Sequence, residues 1–364
     1  EALISMRYPE TKLPKVTTTI FTEMSQLAAD HNAINLSQGY PDFEGPKALL
    51  DRVTYYLNSG YNQYAPMAGV PALRKVIAAK IARLYDRHVN VDTEVTITSG
   101  ATEALFAAIA AVVTAGDEVI VFDPAYDSYE PAIEMNGGRA VHLPLNAPHF
   151  SIDWSAVRQA ITTRTRMIIL NSPHNPTGGV LSRVDIELLA KIARENNIMV
   201  LSDEIYKNIL YDDTKHQSIC SLPGMQERTI LLGGFSKTYA MTGWRLGYGL
   251  MPEDLAKKVE RLMVNSNSCT ATFSQYAGIE ALIESMIEVD DMVNTFKSRR
   301  DFIVNGLNQL PGVSCVMPKG AFYVFPNVKE LGLASDKLEN YLLHEVGVAA
   351  LRRRLFASFL CQFD

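Results

Sequence analysis

The sequence predicts an α/β protein: a mostly parallel, seven-stranded sheet sandwiched by helices, joined to a smaller α+β unit. Three observations carry this expectation. From residue 94 onward, short β-rich runs alternate with helix-length segments. Several runs are apolar at successive positions rather than alternate ones, the pattern of strands covered on both faces by crossover helices. Finally, Ser99, Asp123, Asn171, Asp203 and Ser236 each follow such a run, at the strand ends where open parallel sheets bind their ligands.

In chain order the runs place strands at 94–98, 118–122, 140–143, 167–170, 198–201, 229–232 and 244–248. Between the first two, Ser99–Thr102 forms a tight turn that opens a helix from Glu103. After residue 254 a long helical stretch leads into 287–310, where Met292, Phe296, Phe302, Ile303 and Leu307 recur at roughly helical spacing until Pro311 and Gly312 stop it. Residues 321–325 read as a strand of the second unit. The expected division is a large domain over 46–289 and a small domain over 1–45 and 290–364. No repeat, low-complexity tract or flexible linker separates them.

Composition narrows the function. The chain has 364 residues, 47% of them hydrophobic, enough to bury a large core. With 34 basic and 40 acidic residues the net charge is −6, and no basic stripe interleaved with aromatics appears, which argues against nucleic acid and anionic membranes as partners. Cys220, Cys269, Cys315 and Cys361 are far apart and form no C-x-x-C pair, so neither a metal centre nor a disulfide scaffold is expected, and a reducing cytoplasm fits best. The longest apolar run, 104–113, is about half of a bilayer span.

The chemistry centres on Lys237, in the stretch 233–249. It follows the apolar run Thr229–Leu232, so its ammonium is expected where charge is costly and the nucleophilic neutral amine is favoured. A lone lysine on a glycine-rich turn would read as a surface residue; its neighbours reverse that. Gly100, Ala101 and Thr102 open a helix after a strand, a place where free N–H groups cradle a phosphate, although a hydroxyl residue there is more often a simple cap. Ser236 and Arg245 would add a hydroxyl and a fixed cation to the same anion. Phosphate ligands around one amine suggest a phosphorylated aldehyde.

Asp203 ends the run 199–203, where a carboxylate seeks a cationic partner such as a protonated pyridine nitrogen, or serves as a plain ion pair or cap. Three residues on, Tyr206 is placed to hydrogen-bond a ring oxygen, or to be an ordinary buried tyrosine. Asn175, in the turn-rich loop 171–178, offers an amide to the same oxygen or forms an Asx turn. Tyr126 offers a flat face to a ring.

In this arrangement the chain resembles the class I, fold-type-I pyridoxal-phosphate aminotransferases over nearly its whole length. The resemblance rests on 35–42 (Asn-Leu-Ser-Gln-Gly-Tyr-Pro-Asp), 62–69 (Asn-Gln-Tyr-Ala-Pro-Met-Ala-Gly), Ser-Gly-Ala-Thr-Glu, Ser-Pro-His-Asn-Pro-Thr-Gly, Ser-Asp-Glu-Ile-Tyr and Ser-Lys-Thr-Tyr-Ala-Met-Thr-Gly-Trp-Arg, in the family's order. It is similar above all to the methionine, glutamine and aromatic (kynurenine-type) branch. The resemblance implies pyridoxal 5'-phosphate held as an aldimine on Lys237, which also moves the proton. It implies Asp203 at the ring nitrogen, Tyr206 and Asn175 at the ring oxygen, and Tyr126 on the ring face. Ser236, Arg245 and Gly100 to Thr102 would hold the phosphate. Tyr64 would reach the phosphate of a neighbouring subunit in a homodimer with shared active sites, and Gly39 and Tyr40 would lie beside the substrate.

The family's carboxylate-gripping arginine is harder to place. Gly347–Ala350 begins the usual run but passes straight into Leu351, Arg352, Arg353 and Arg354 without the family's intervening loop. Arg354, followed by Leu355, Phe356 and Ala357, is the nearest candidate; the alternative is a solvated run of three arginines. The implied reaction is transfer of an amino group from an L-amino acid to a 2-oxo acid. A carbon–sulfur β-lyase on the same fold is the alternative.

Overall fold

The computed structural model describes residues 10–352 apart from 15, 17, 18 and 285. Nine strands appear among them: β1 (Ile34–Asn35), β2 (Val95–Thr98), β3 (Glu118–Asp123), β4 (Arg139–Pro144), β5 (Thr165–Asn171), β6 (Met199–Asp203), β7 (Thr229–Gly234), β8 (Gly247–Leu250) and β9 (Val348–Ala349). Seven form one sheet in the order β2-β8-β7-β6-β5-β3-β4. All its pairings are parallel except those of β8, which runs antiparallel to both β2 and β7.

The helices are α1 (Ile20–Asp30), α2 (Lys47–Asn58), α3 (Pro71–Tyr85), α4 (Ala101–Val112), α5 (Tyr129–Met135), α6 (Trp154–Ala160), α7 (Arg183–Glu195), α8 (Glu253–Ser266), α9 (Thr272–Glu284), α10 (Met286–Leu307) and α11 (Ser335–Tyr341). None is long and apolar enough to cross a membrane, among the described residues.

Both faces of the sheet are apolar, which explains the unbroken runs. Val119, Val121, Ile169 and Leu201 pack with α4, α5 and α8. Their neighbours Ile120, Phe122, Ile168, Leu170 and Val200 pack on the other face with α6 and α7. Since successive strand residues point to opposite faces, a strand sandwiched by helices needs an apolar residue at every position. Each such side chain contributes about 1.5–3 kcal/mol by leaving water. A third cluster joins α2, α3 and α9 to β2 and β8 through Leu73, Ile77, Ile97 and Leu250.

Helix ends follow local chemistry. Ser182 and Asp185 form a reciprocal capping box at the start of α7, and the Asp153 carboxylate accepts from Ser155 N and Ala156 N ahead of α6. The short parallel pair β1–β9, with Ile34 opposite Val348, ties the N-terminal segment to the C-terminal one; Met24 and Ala28 of α1 pack there with Leu343 and Ala349.

Two segments depart from expectation. Residues 244–248 do not form one strand: Thr242–Trp244 is a 3-10 turn, Arg245 sits at φ 52, and β8 starts only at Gly247. The apolar pattern there reflects burial of Leu246 and Tyr248 rather than extension of the whole segment. Residues 321–325 likewise form no strand. Ala321 takes φ 57, and the ladder contacts nearby are two isolated bridges that flank the run, Leu210 to Gly320 and Ser314 to Asn327, so this aromatic run packs as a loop.

Candidate functional site

The carboxyl ends of β5, β6 and β7 converge on a cavity of about 280 Å³. Asn171 and Asp203 end neighbouring strands in register, and Asp203 faces Leu232 of β7 on its other side. Of the fourteen residues singled out in sequence, Gly39, Tyr40, Ala101, Thr102, Tyr126, Asn175, Asp203, Tyr206, Ser236, Lys237 and Arg245 line this cavity. Gly100 adjoins it through Arg245. Tyr64 is 83% exposed and stands outside it. Arg354 lies outside the described residues. Its neighbour Arg352 pairs with Glu339 at 3.2 Å, so not all three arginines of that run are simply solvated.

Lys237 lies three residues past the end of β7, on the loop that returns as β8. Its Nζ donates to the Gly39 carbonyl at 2.5 Å. Burial, and after it the nearby Arg245 charge, lower its pKa to about 8 against a weaker opposing pull from Asp203. At pH 7 such a lysine is about a tenth neutral, several hundred times the neutral fraction of a solvated lysine.

Asp203 is 8% exposed. Tyr129 Oη donates to its Oδ2 at 2.8 Å, and Ile205 N donates to Oδ1 at 3.3 Å. Burial raises its pKa, the two hydrogen bonds oppose the rise, and the adjacent Glu204 adds to it. No cationic side chain forms an ion pair with it among the described residues. By contrast, Glu204 is fully partnered: it accepts from Tyr85 at 2.8 Å and Ser218 at 2.5 Å, and meets His216 Nε2 at 3.0 Å. Burial works against its charge, but His216, Lys207 and Ser218 hold it down at about 2. One carboxylate of the Asp-Glu pair is therefore neutralised within the protein and the other faces the cavity without a cation.

The anion end is built by close approach. Gly100 sits at φ 82, and a Cβ there would overlap the Arg245 guanidinium. Gly247 in turn lets β8 pass against the peptide between Gly100 and Ala101. Helix geometry leaves the first N–H groups of α4 without intrahelical acceptors, and Ser236 and Arg245 border the same cavity. Arg245 Nη1 donates to the Thr242 carbonyl at 2.8 Å, which fixes the guanidinium. A partly neutral amine, a buried carboxylate lacking a cation, and a helix start beside an arginine fit an aldehyde, a protonated ring nitrogen and a phosphate, the three handles of pyridoxal phosphate.

Sequence reasoning missed several lining residues. Phe21 of α1, Gln38, Leu105, Ile205, Thr242 and Tyr323 all border the cavity. Phe21 and Tyr323 arrive from segments more than eighty residues from Lys237, and no local motif marks them. Asn171, by sequence a strand-end residue, also braces the site: its Nδ2 donates to the Asp203 carbonyl at 3.1 Å, and its Oδ1 accepts from Asn175 N at 2.7 Å. Sequence reasoning also missed Tyr129, which no local motif marks as the donor to Asp203.

Comparison with known proteins agrees with this geometry. The Aminotransferase class I and II family profile matches residues 31–359. The chain is 40% identical to methionine aminotransferase of Escherichia coli K12 over 96% of this chain and 91% of that protein. It is 38% identical to an aspartate aminotransferase of Pyrococcus abyssi over 90% of this chain and 85% of that one. The crystal structure of YbdL from Escherichia coli, described as having a methionine aminotransferase function, superimposes with a TM-score of 0.93 at 38% identity, covering 98% of this chain and 94% of that one. These relatives are aminotransferases, and nothing favours the β-lyase alternative over them. With a cavity that fits the cofactor, and relatives matched along almost its entire length, the chain belongs to the class I and II aminotransferases and is a pyridoxal-phosphate-dependent transaminase.

Proposed function

We propose that this aminotransferase acts on L-amino acids with uncharged side chains of the methionine, glutamine or aromatic type, using Lys237 as both cofactor anchor and proton carrier. The observation that carries the substrate class is the charge of the cavity wall. Among its described lining residues the only cationic side chains are Lys237 and Arg245, both engaged at the cofactor end, whereas Phe21, Tyr40, Leu105 and Tyr323 supply aromatic and apolar surface. A dicarboxylic donor would bury its second carboxylate there without a partner, which costs several kcal/mol. The likeness to a methionine aminotransferase supports the same reading.

When bound, pyridoxal phosphate supplies an electron-withdrawing ring that stores the electron pair released as the substrate's Cα–H bond breaks. The chain's residues do the rest. Lys237 Nζ would take up the substrate's Cα proton and carry it; its lowered pKa keeps that nitrogen available as a base. Asp203, steadied by Tyr129, holds charge against the ring nitrogen and keeps it protonated. Asn175 and Tyr206 would contact the ring oxygen, and Tyr126 would cover the ring face. Ser236, Arg245 and the start of α4 would anchor the phosphate. Gly39 would lie beside the substrate carboxylate, with Arg354 as its candidate partner, and Tyr40 would face the substrate.

The exposed Tyr64 supports a homodimer in which it reaches the partner's phosphate; sedimentation of Tyr64→Phe and parent, with cofactor affinity, tests this. Cys220, Cys269 and Cys315 are unpaired, in keeping with a reducing cytoplasm. The deciding experiment is a donor panel scored by 2-oxo acid formation, including aspartate. Methionine-type and aromatic donors should lead, and a preference for aspartate would overturn the substrate class. In the same assay Lys237→Ala should abolish turnover while the folded protein still binds the cofactor, and retained turnover would defeat the lysine's role.

A further inference from the structure

Tyr206 and Tyr323 meet at the wall of the cavity, their hydroxyl oxygens 2.6 Å apart. This is a short hydrogen bond between two neutral groups, and neither hydroxyl has another partner among the described residues. The rings meet edge to face, with centroids 5.6 Å apart at 81°. Phe322 packs against both, at 5.6 Å from Tyr206 and 4.9 Å from Tyr323.

The backbone holds the pair together as well. Ala321 N donates to the Ile209 carbonyl at 2.9 Å, Tyr211 N donates to the Lys319 carbonyl at 3.0 Å, and the Tyr211 hydroxyl donates to the Ala321 carbonyl. The loop carrying Tyr323 is thus stitched to the loop carrying Tyr206. Tyr323 also reaches the reacting end: a Cβ placed on Gly39 would lie 3.0 Å from Tyr323 Oη and 3.3 Å from Lys237 Nζ.

Each phenol has one proton to give, so the shared bond has two settings. If Tyr206 donates to Tyr323, nothing is left on Tyr206 to donate into the cavity. If Tyr323 donates to Tyr206, the Tyr206 proton is free for another acceptor, and receiving a hydrogen bond makes that proton a stronger donor. Burial raises the pKa of both phenols, so both remain protonated at neutral pH.

We propose that Tyr323 is a positioning residue for the transamination: it donates to Tyr206 and thereby strengthens the hydrogen bond Tyr206 gives to the cofactor's ring oxygen. This rests on the reading above that Tyr206 contacts that oxygen. A donor on the ring oxygen draws off its negative charge. That charge otherwise helps retain the proton shared with Lys237 Nζ, so the donor lets the proton leave at lower pH. Tyr323 acts on the same proton at one remove.

The test is a spectrophotometric pH titration of the cofactor-loaded protein, following the absorption change that accompanies loss of this proton. Parent, Tyr206→Phe, Tyr323→Phe and the double variant are compared. Tyr206→Phe should raise the midpoint by about one pH unit or more. Tyr323→Phe should raise it in the same direction by about 0.5, a roughly threefold change in the proton equilibrium. The double variant should match Tyr206→Phe alone, because Tyr323 has no effect once the hydroxyl it serves is gone. A shifted Tyr206→Phe with an unmoved Tyr323→Phe, or additive shifts in the double variant, overturns the role of Tyr323 while leaving the ring-oxygen reading intact. An unmoved Tyr206→Phe overturns both. Each single change removes only an oxygen, and a merely structural role for Tyr323 would lower melting temperature without moving the midpoint.

Discussion

Replacing Lys237 with methionine should remove the reaction and yet stabilise the cofactor-free protein near neutral pH. The buried amine has a folded-state pKa of about 8 against an ordinary 10.5. Below about 8 the folded protein carries a charge it disfavours, and the cost is full. Between 8 and 10.5 the folded protein binds fewer protons than the unfolded chain, so stability rises with pH and the cost fades. At ~1.4 kcal/mol per pH unit the full cost is about 3 kcal/mol, and partial exposure of the side chain halves it to about 1.5 kcal/mol. Methionine has similar length and no charge. It forfeits the hydrogen bond to the Gly39 carbonyl, worth about 1 kcal/mol. Lys237→Met should therefore be as stable as the parent or slightly more so at pH 7, and its relative stability should fall by about 1 kcal/mol by pH 9.5. Guanidinium unfolding of both proteins, cofactor-free and at one protein concentration, measures this. A stability difference that is flat from pH 7 to 9.5 would refute the claim that the lysine is held at a cost.

Further predictions concern the two ends of the cavity. Gly100→Ala places a methyl group against the Arg245 guanidinium at a backbone angle that favours glycine; the affinity for pyridoxal phosphate should drop at least tenfold, and an unchanged dissociation constant would show that this corner does not hold the phosphate. Asp203→Ala should depress turnover by orders of magnitude more than it weakens cofactor binding, as compared by steady-state kinetics and equilibrium titration; equal losses in both would indicate a merely structural carboxylate. Phe21→Ala should raise KM for aromatic and methionine-type donors with little effect on the cofactor's dissociation constant.

Much of the sheet and the chemical end of the site was legible because both leave local traces. Helices on both sides force continuous apolar runs, and parallel strands bring their polar terminal residues to one edge, so Asp203, Asn171 and Lys237 announce themselves by position. Features set by long-range packing leave no such trace. The antiparallel direction of β8 depends on the path taken after Lys237, and hydropathy has no sign for direction. Residues 321–325 look extended because Phe322 and Tyr323 are partly buried aromatics, but the positive φ at Ala321 turns the chain as a loop that brings Tyr323 to the cavity. Phe21 lies on a helix whose pattern reports only amphipathicity. Tyr129 resembles any buried helix tyrosine until its hydroxyl is seen against Asp203.

The strand pair β7–β8 has a consequence for how such an enzyme changes its diet. Gly234 and Gly247 stand opposite each other in the ladder, closing off the segment that bears Ser236, Lys237, Thr242 and Arg245. A segment anchored at both feet keeps its reactive groups at constant spacing whatever happens elsewhere. The opposite wall, from α1 and the stretch around Tyr40, comes from separate parts of the chain. Substitutions there can reshape what is admitted while the bond-making apparatus stays in place, so new selectivity can evolve without relearning the reaction.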